Sequence, residues 1–110
     1  MKIQHKNLAL GRWKEMSFFQ QMANVGSEIE RTIKWKEKGN EEYSESAFFR
    51  ALELLDLTIA DPKNLLRLKE LLRMREALAD YFAFENEYKS NDQIWKNYFF
   101  AFNYAIAIGK

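Results

Sequence analysis

From Ser17 onward, apolar residues recur every three or four positions in four separate runs, which is the spacing of one face of an α-helix. Each run begins and ends at a residue whose chemistry favours a helix end. Ser17, followed three positions later by Gln20, has the spacing of a capping box, and Gly39 ends the same run. We therefore predict a first helix over residues 17–38 and a second helix that is capped by Asn40.

The only proline in the chain separates the second predicted helix from the third. Pro62 disfavours the helical conformation at Asp61, and proline is itself favoured at the first position of a helix. The pair therefore ends one helix and caps the next, with Asn64 as an alternative cap. We predict that this third helix is one continuous α-helix that ends near Phe84.

A second capping-box pair, Ser90 and Gln93, predicts a fourth helix that is closed by Gly109. The pattern of this run is unusually aromatic. Its inner face is predicted to consist of Ile94, Trp95, Tyr98, Phe99, Phe102, Ala105 and Ile106.

Short connections make successive helices antiparallel neighbours, so we predict an all-α fold, an up-down-up-down four-helix bundle over residues 17–110. Residues 1–16 show no helical period and are predicted to form a short, irregular and extended N-terminal arm whose Trp13 packs onto the bundle. Gly26 lies inside the first helix, where glycine costs about 1 kcal/mol relative to alanine. We predict the close approach of a neighbouring helix at this position, and the alternative is a tolerated glycine with no structural role.

Composition excludes most metal and covalent chemistry. The 110 residues include no cysteine and a single histidine, His5, so there is no thiolate and no multi-histidine metal site. Seventeen basic and sixteen acidic residues leave a net charge of +1, which attracts neither nucleic acid nor an anionic membrane. Lys34-Trp35-Lys36 mixes charge with an aromatic ring as RNA-binding segments do, but Glu37 follows it and acidic residues are interspersed elsewhere.

Neither a membrane-spanning apolar run nor the apolar core of a signal peptide is present in the sequence. We therefore expect a cytoplasmic protein that needs no cofactor and no metal, and that binds neither nucleic acid nor a membrane.

One charged residue interrupts the apolar face of the third predicted helix. Arg75 lies in the middle of that face, so we expect it to be buried beside a carboxylate, either Glu28 or Asp56. Arg75 and its carboxylate then form an internal ion pair that fixes helix register, or all three residues form a polar pocket that binds a phosphate or carboxylate. The face itself consists of Leu65, Leu68, Leu71, Leu72, Leu78, Ala79 and Phe82.

Five acidic residues of the second predicted helix form two motifs. Glu41, Glu42 and Glu45, followed by Glu53 and Asp56, resemble the magnesium-binding motifs of all-helical nucleoside triphosphate pyrophosphohydrolases of the MazG kind. In that family the two motifs lie on two facing helices, whereas here one helix carries both and the ligands cannot converge. The pattern is typical of a solvated helix face, and a degenerate magnesium-dependent hydrolase is kept as an alternative.

The fourth predicted helix carries more aromatic residues than one face can bury. Phe100 and Tyr104 lie one turn apart on its outer side and are joined by Ile108, while Leu54 and Leu57 leave the apolar stripe of the second helix in the same way. A second apolar face marks a contact surface, most simply that of a homodimer. The alternative is that the N-terminal arm covers this face.

The architecture of residues 17–108 is similar to that of small prokaryotic four-helix proteins grouped with HEPN proteins. The ribonuclease signature of that family is an arginine followed about six residues later by a histidine, and His5 precedes every predicted helix. The resemblance therefore implies a binding or dimerising bundle without that activity. We expect a non-enzymatic interaction module, a homodimer or one bound to a protein partner, with a ligand- or nucleotide-binding bundle around Arg75 as the alternative.

Overall fold

A computed structural model describes residues 11–108, of which 85% are helical and none belongs to a strand. A 3-10 helix over Pro62–Arg67 precedes the fourth α-helix. The α-helices are α1 (Trp13–Glu15), α2 (Phe18–Glu37), α3 (Glu41–Ala60), α4 (Leu68–Ala83) and α5 (Asp92–Ala107). The predicted all-α class is confirmed. Within residues 11–108, no helix is long and apolar enough to cross a membrane.

The ends of α2 and the start of α3 follow the local chemistry of the sequence. Ser17 Oγ accepts a hydrogen bond from the backbone of Gln20 at 3.1 Å, and the Gln20 side chain accepts one from the backbone of Ser17 at 3.0 Å. Gly39 ends α2 with a φ of +78°, a conformation that glycine reaches without steric cost. Asn40 Oδ1 accepts from the Tyr43 amide at 3.0 Å. The predicted capping box, glycine stop and Asn40 cap are confirmed.

The third predicted helix differs from expectation at its start. Asp61 does cap it, since Asp61 Oδ1 accepts from the Lys63 amide at 3.1 Å, but the first six residues form a 3-10 helix. A 3-10 helix turns about 20° further per residue than an α-helix, so its side chains fall out of phase with those of α4. Leu65 and Leu66 are consequently exposed, and the prediction that Leu65 is inside is wrong.

The buried face of α4 is rotated away from the predicted one. Met74 is buried together with Leu71 and Leu78, whereas Leu72 is exposed. The leucine pattern placed the centre of the face one position too far along the chain, at Arg75.

The start of α5 is also shifted. Asn91, not Ser90, is the cap, because Asn91 Oδ1 accepts from the amide of Ile94 at 2.8 Å while the amide of Ser90 donates to the Asn86 side chain. Ile94 is exposed, so its predicted place on the inner face is wrong, but Trp95 and Phe99 are buried as predicted.

The core is built around α2, which packs against α3 on one side and α5 on the other, while α4 packs against α3. Gly26 lies directly against α5. A Cβ atom at this position would lie 2.8 Å from the Cβ atom of Phe99. The predicted close helix approach at Gly26 is confirmed.

Trp13 is almost fully buried, as predicted, although α1 makes residues 13–15 a helical turn instead of an extended segment. Residues 1–10 of the predicted arm, which include His5, Leu8 and Leu10, lie outside the described residues, as does Gly109.

Candidate functional site

The outer α5 face, defined here as Phe100, Tyr104 and the C-cap residue Ile108, is an exposed apolar surface at the end of that helix. These side chains are 63%, 57% and 50% exposed, respectively. The rings of Phe100 and Tyr104 contact each other with their centroids 6.3 Å apart. The other two residues predicted for the interface are not part of this surface. Leu54 is only 3% exposed and belongs to the core, and Leu57 is half-buried against it, because α3 turns both towards its neighbours.

A groove of about 240 Å³ adjoins the outer α5 face and runs between α2 and α5. Its lining includes the apolar residues Gly26, Ile29 and Phe99, and the charged residues Glu30 and Lys96. Trp95 also lines this groove, and its indole Nε1 is buried without a hydrogen-bond partner among residues 11–108. The groove therefore combines apolar surface with charges of both signs.

Arg75 forms a surface ion pair and not an internal one. Its Nε donates to Asp56 Oδ1 at 2.7 Å, and its Nη2 donates to Asp56 Oδ2 at 3.3 Å. The Arg75 side chain is 35% exposed and that of Asp56 is 56% exposed. The prediction that Arg75 is buried is therefore wrong, because the neighbouring Met74 occupies the core position.

Glu28 lies apart from this pair. It is nearly buried, accepts a hydrogen bond from Arg50 Nε at 3.2 Å, and forms an ion pair with Arg31 at 3.1 Å. The three residues predicted to form one binding pocket are thus divided between two sites. The pairing with Arg50 carries a sequence signal: Glu28 and Arg50 lie equally far from Gly39 along the chain, and residues equidistant from a turn face each other in an antiparallel hairpin.

Sequence reasoning missed a buried polar network at the end of α3. Gln21 Nε2 donates to the Trp13 carbonyl and to Asp61 Oδ2, both at 2.9 Å. Asn64 Nδ2 donates to Gln21 Oε1 at 2.9 Å, and Trp13 Nε1 donates to Thr58 Oγ1 at 3.2 Å. These bonds anchor α1 to α2 and to the end of α3, while Asn64 Oδ1 is buried without a hydrogen-bond partner among residues 11–108.

Asp61 is charged within this network. Burial acts to raise its pKa, but hydrogen bonds from Lys63 and Gln21 outweigh that effect and hold the pKa below its ordinary value of 3.8.

A second polar cluster joins the ends of three helices. Tyr81 of α4 donates to Asp92 Oδ1 at 2.6 Å, and Lys36 Nζ of α2 donates to the same oxygen at 2.9 Å. Partial burial acts to raise the pKa of Asp92, but these two hydrogen bonds outweigh it, so the pKa lies below 3.8. The arrangement is that of a clamp between α2, α4 and the first turn of α5.

The acidic residues that resemble a magnesium site all lie on α3. Among residues 11–108, no three histidine, aspartate or glutamate side chains come close enough to hold a metal ion. The contacts of the described residues thus provide no support for the hydrolase alternative.

Comparison of the chain with protein-family models, curated proteins and solved structures found no match.

Proposed function

We propose that this chain is a non-enzymatic interaction module that forms a homodimer through the outer α5 face. The observation that carries the proposal is the exposure of Phe100, Tyr104 and Ile108, each at least half accessible, on one side of one helix. Adjoining apolar side chains of this size favour aggregation unless a partner covers them. The dimer provides such a cover.

The proposal includes an up-down-up-down bundle of α2, α3, α4 and α5. Three polar contacts support it: Glu28 with Arg50 between α2 and α3, Asp56 with Arg75 between α3 and α4, and Tyr81 with Asp92 between α4 and α5. In such a bundle each helix has one side turned away from the shared interior. A bundle that dimerises is also what the resemblance to HEPN proteins implies.

A second copy of the chain suits this surface chemically. Across a twofold axis, Phe100 and Tyr104 meet their own copies, so an apolar centre forms from one patch. Glu30 and Lys96 line the adjoining groove, so each copy offers the other both an anion and a cation at the edge. An apolar centre with a charged rim is the usual anatomy of a protein interface.

The test is the double variant Phe100→Glu with Tyr104→Glu. Two added carboxylates on each copy repel across the twofold axis, so we expect a soluble monomer that keeps the helical circular dichroism spectrum of the unmodified chain. The matched control is Leu66→Glu with Phe84→Glu, which places the same charges on exposed apolar positions outside α5. We expect the control to remain dimeric. A variant that stays dimeric, or that unfolds, would overturn the proposed interface.

A further inference from the structure

A separate cleft of about 240 Å³ opens between α2 and α3, and it combines aromatic rings with an arginine. It is lined by Trp35, Tyr43, Ser46 and Arg50, here called the aromatic–arginine cleft. The rings of Trp35 and Tyr43 meet edge to face, with centroids 4.8 Å apart and an angle of 87° between their planes. Tyr43 is 52% exposed, so aromatic surface remains open to solvent.

The arginine of this cleft is held in place by its neighbours. Arg50 Nε donates to Glu28 Oε1 at 3.2 Å, and Arg50 Nη1 donates to Ser46 Oγ at 3.0 Å. A guanidinium that is already ordered loses little conformational entropy when it binds a ligand. The sequence predicts a buried arginine at position 75, whereas the Arg50 side chain, which is 26% exposed, is the less exposed of the two.

Positive charge exceeds negative charge in the ion-pair cluster beneath the cleft. Glu28 contacts both Arg50 and Arg31, so one carboxylate faces two guanidinium groups. Lys38 Nζ lies 5.2 Å from the centroid of the Trp35 ring and adds a further cation. The four lining residues themselves include a guanidinium and two hydroxyls but no carboxylate. Exposed acidic residues do occur nearby on α3, at Glu42 and Glu45, and they oppose this positive charge.

We propose that the aromatic–arginine cleft binds a small aromatic oxyanion, a single planar ring that carries a phosphate or a carboxylate. The ring packs against Trp35 and Tyr43, and the oxyanion accepts hydrogen bonds from Arg50 and Ser46. Arginine suits this role because its planar fork matches the geometry of carboxylate and phosphate oxygens. The site shares no residue with the outer α5 face and does not depend on dimerisation.

The competing explanation is that these contacts only hold α2 against α3. In that case substitutions in the cleft change stability, but no aromatic anion binds. Direct titration of a ligand separates the two explanations.

The experiment follows tryptophan fluorescence while phenyl phosphate or benzoate is added. Trp13 and Trp95 are nearly buried, so half-buried Trp35 is the tryptophan that contacts a ligand in the cleft. We expect saturable binding of at least one of the two probes, and their relative affinities tell whether phosphate or carboxylate is preferred. Inorganic phosphate and phenol each carry half of the ligand, and we expect both to bind at least about tenfold more weakly.

Arg50→Lys is the decisive variant because it keeps the charge but removes the planar fork. We expect it to weaken binding about tenfold. The matched control is Arg67→Lys, since Arg67 also lies over an aromatic ring, that of Phe18 at 4.2 Å, but outside the cleft. Its binding should equal that of the unmodified chain. If Arg50→Lys does not fold, Tyr43→Leu removes one wall of the cleft at an exposed position and should also weaken binding. The proposal is overturned if neither probe saturates, or if inorganic phosphate binds as tightly as phenyl phosphate.

Discussion

Gln21 is a single side chain that holds several buried partners. It donates to the Trp13 carbonyl and to Asp61, and it accepts from Asn64. Gln21→Ala leaves a buried carboxylate and a buried carbonyl without this donor, so we expect the free energy of unfolding to fall by about 3 kcal/mol. Urea denaturation measures the change.

The neighbouring Gln20→Ala provides the control for Gln21→Ala. Gln20 makes an exposed capping-box bond, whose loss costs about 1 kcal/mol or less. Equal losses for the two variants would contradict the role assigned to the buried network.

Substitutions of Glu28 and Asp56, the two carboxylates predicted to accompany Arg75, should differ in their effect on the free energy of unfolding. Glu28→Gln disrupts a nearly buried carboxylate that faces two arginines, and we expect it to cost about 2 kcal/mol. Asp56→Asn disrupts only the exposed pair with Arg75, and we expect less than about 1 kcal/mol. Denaturant melts of both variants test this difference. A larger cost for Asp56→Asn would mean that Arg75 is the buried arginine after all.

Local sequence patterns could predict some residues of the site and not others. Burial of Trp13 and close packing at Gly26 followed from residue type, because few other environments suit a large indole or a helical glycine. Gln21 carries no such signal, because two of its partners, Asp61 and Asn64, lie 40 or more residues away in the sequence. The leucine pattern puts Arg75 in the middle of the apolar face of the third helix, whereas in the structure Met74 completes that face.

At the scale of helices, Gly26 sets the distance between α2 and α5. Alanine normally stabilises a helix by about 1 kcal/mol relative to glycine. Here the added Cβ would lie 2.8 Å from the Cβ atom of Phe99, so the helices must separate. We expect Gly26→Ala to destabilise the fold by about 2 kcal/mol, measured by urea denaturation. Ser27→Ala, one position further and exposed, is the control and should change stability little. A stabilising effect of Gly26→Ala would contradict the packing.

The cluster of Lys36, Tyr81 and Asp92 predicts a pH dependence. The pKa of Asp92 is lowered in the folded chain, so its contribution to stability is present above the ordinary value of 3.8 and is lost as pH falls through the lower folded value. We expect Asp92→Asn to cost about 1 kcal/mol at neutral pH, because the cluster is partly exposed.

The difference between Asp92→Asn and the unmodified chain should shrink as pH falls below about 4. Chemical denaturation at a series of pH values measures both proteins side by side. A constant difference throughout the acid range would mean that the Asp92 charge does not stabilise the clamp.

The helix ends show which features of the secondary structure are determined by residues that are close in the sequence. The ends at Ser17, Gly39 and Asn40 were predictable because each cap bonds within four residues of itself. The 3-10 helix at Pro62–Arg67 was not, since α- and 3-10 helices share the same capping signals. There the buried Asn64 side chain bonds to Gln21, a contact outside any local pattern.

For the whole molecule, the all-α class was predictable because the apolar period extends over four long runs. The surface of the assembled chain was harder to predict, since burial of Leu54 and exposure of Ile94 depend on how the helices rotate against each other. The outer α5 face remains exposed in the single chain, and a second copy is the proposed cover. The proposed homodimer therefore predicts a particle in solution that has twice the mass of one chain.

The most direct measurement is the molar mass of the unmodified chain by light scattering across the micromolar range. The chain mass is 13.2 kDa. We predict twice that mass at the upper concentrations, with a decline towards the single-chain mass on dilution if exchange is rapid. A mass of 13.2 kDa at every concentration would contradict the dimer.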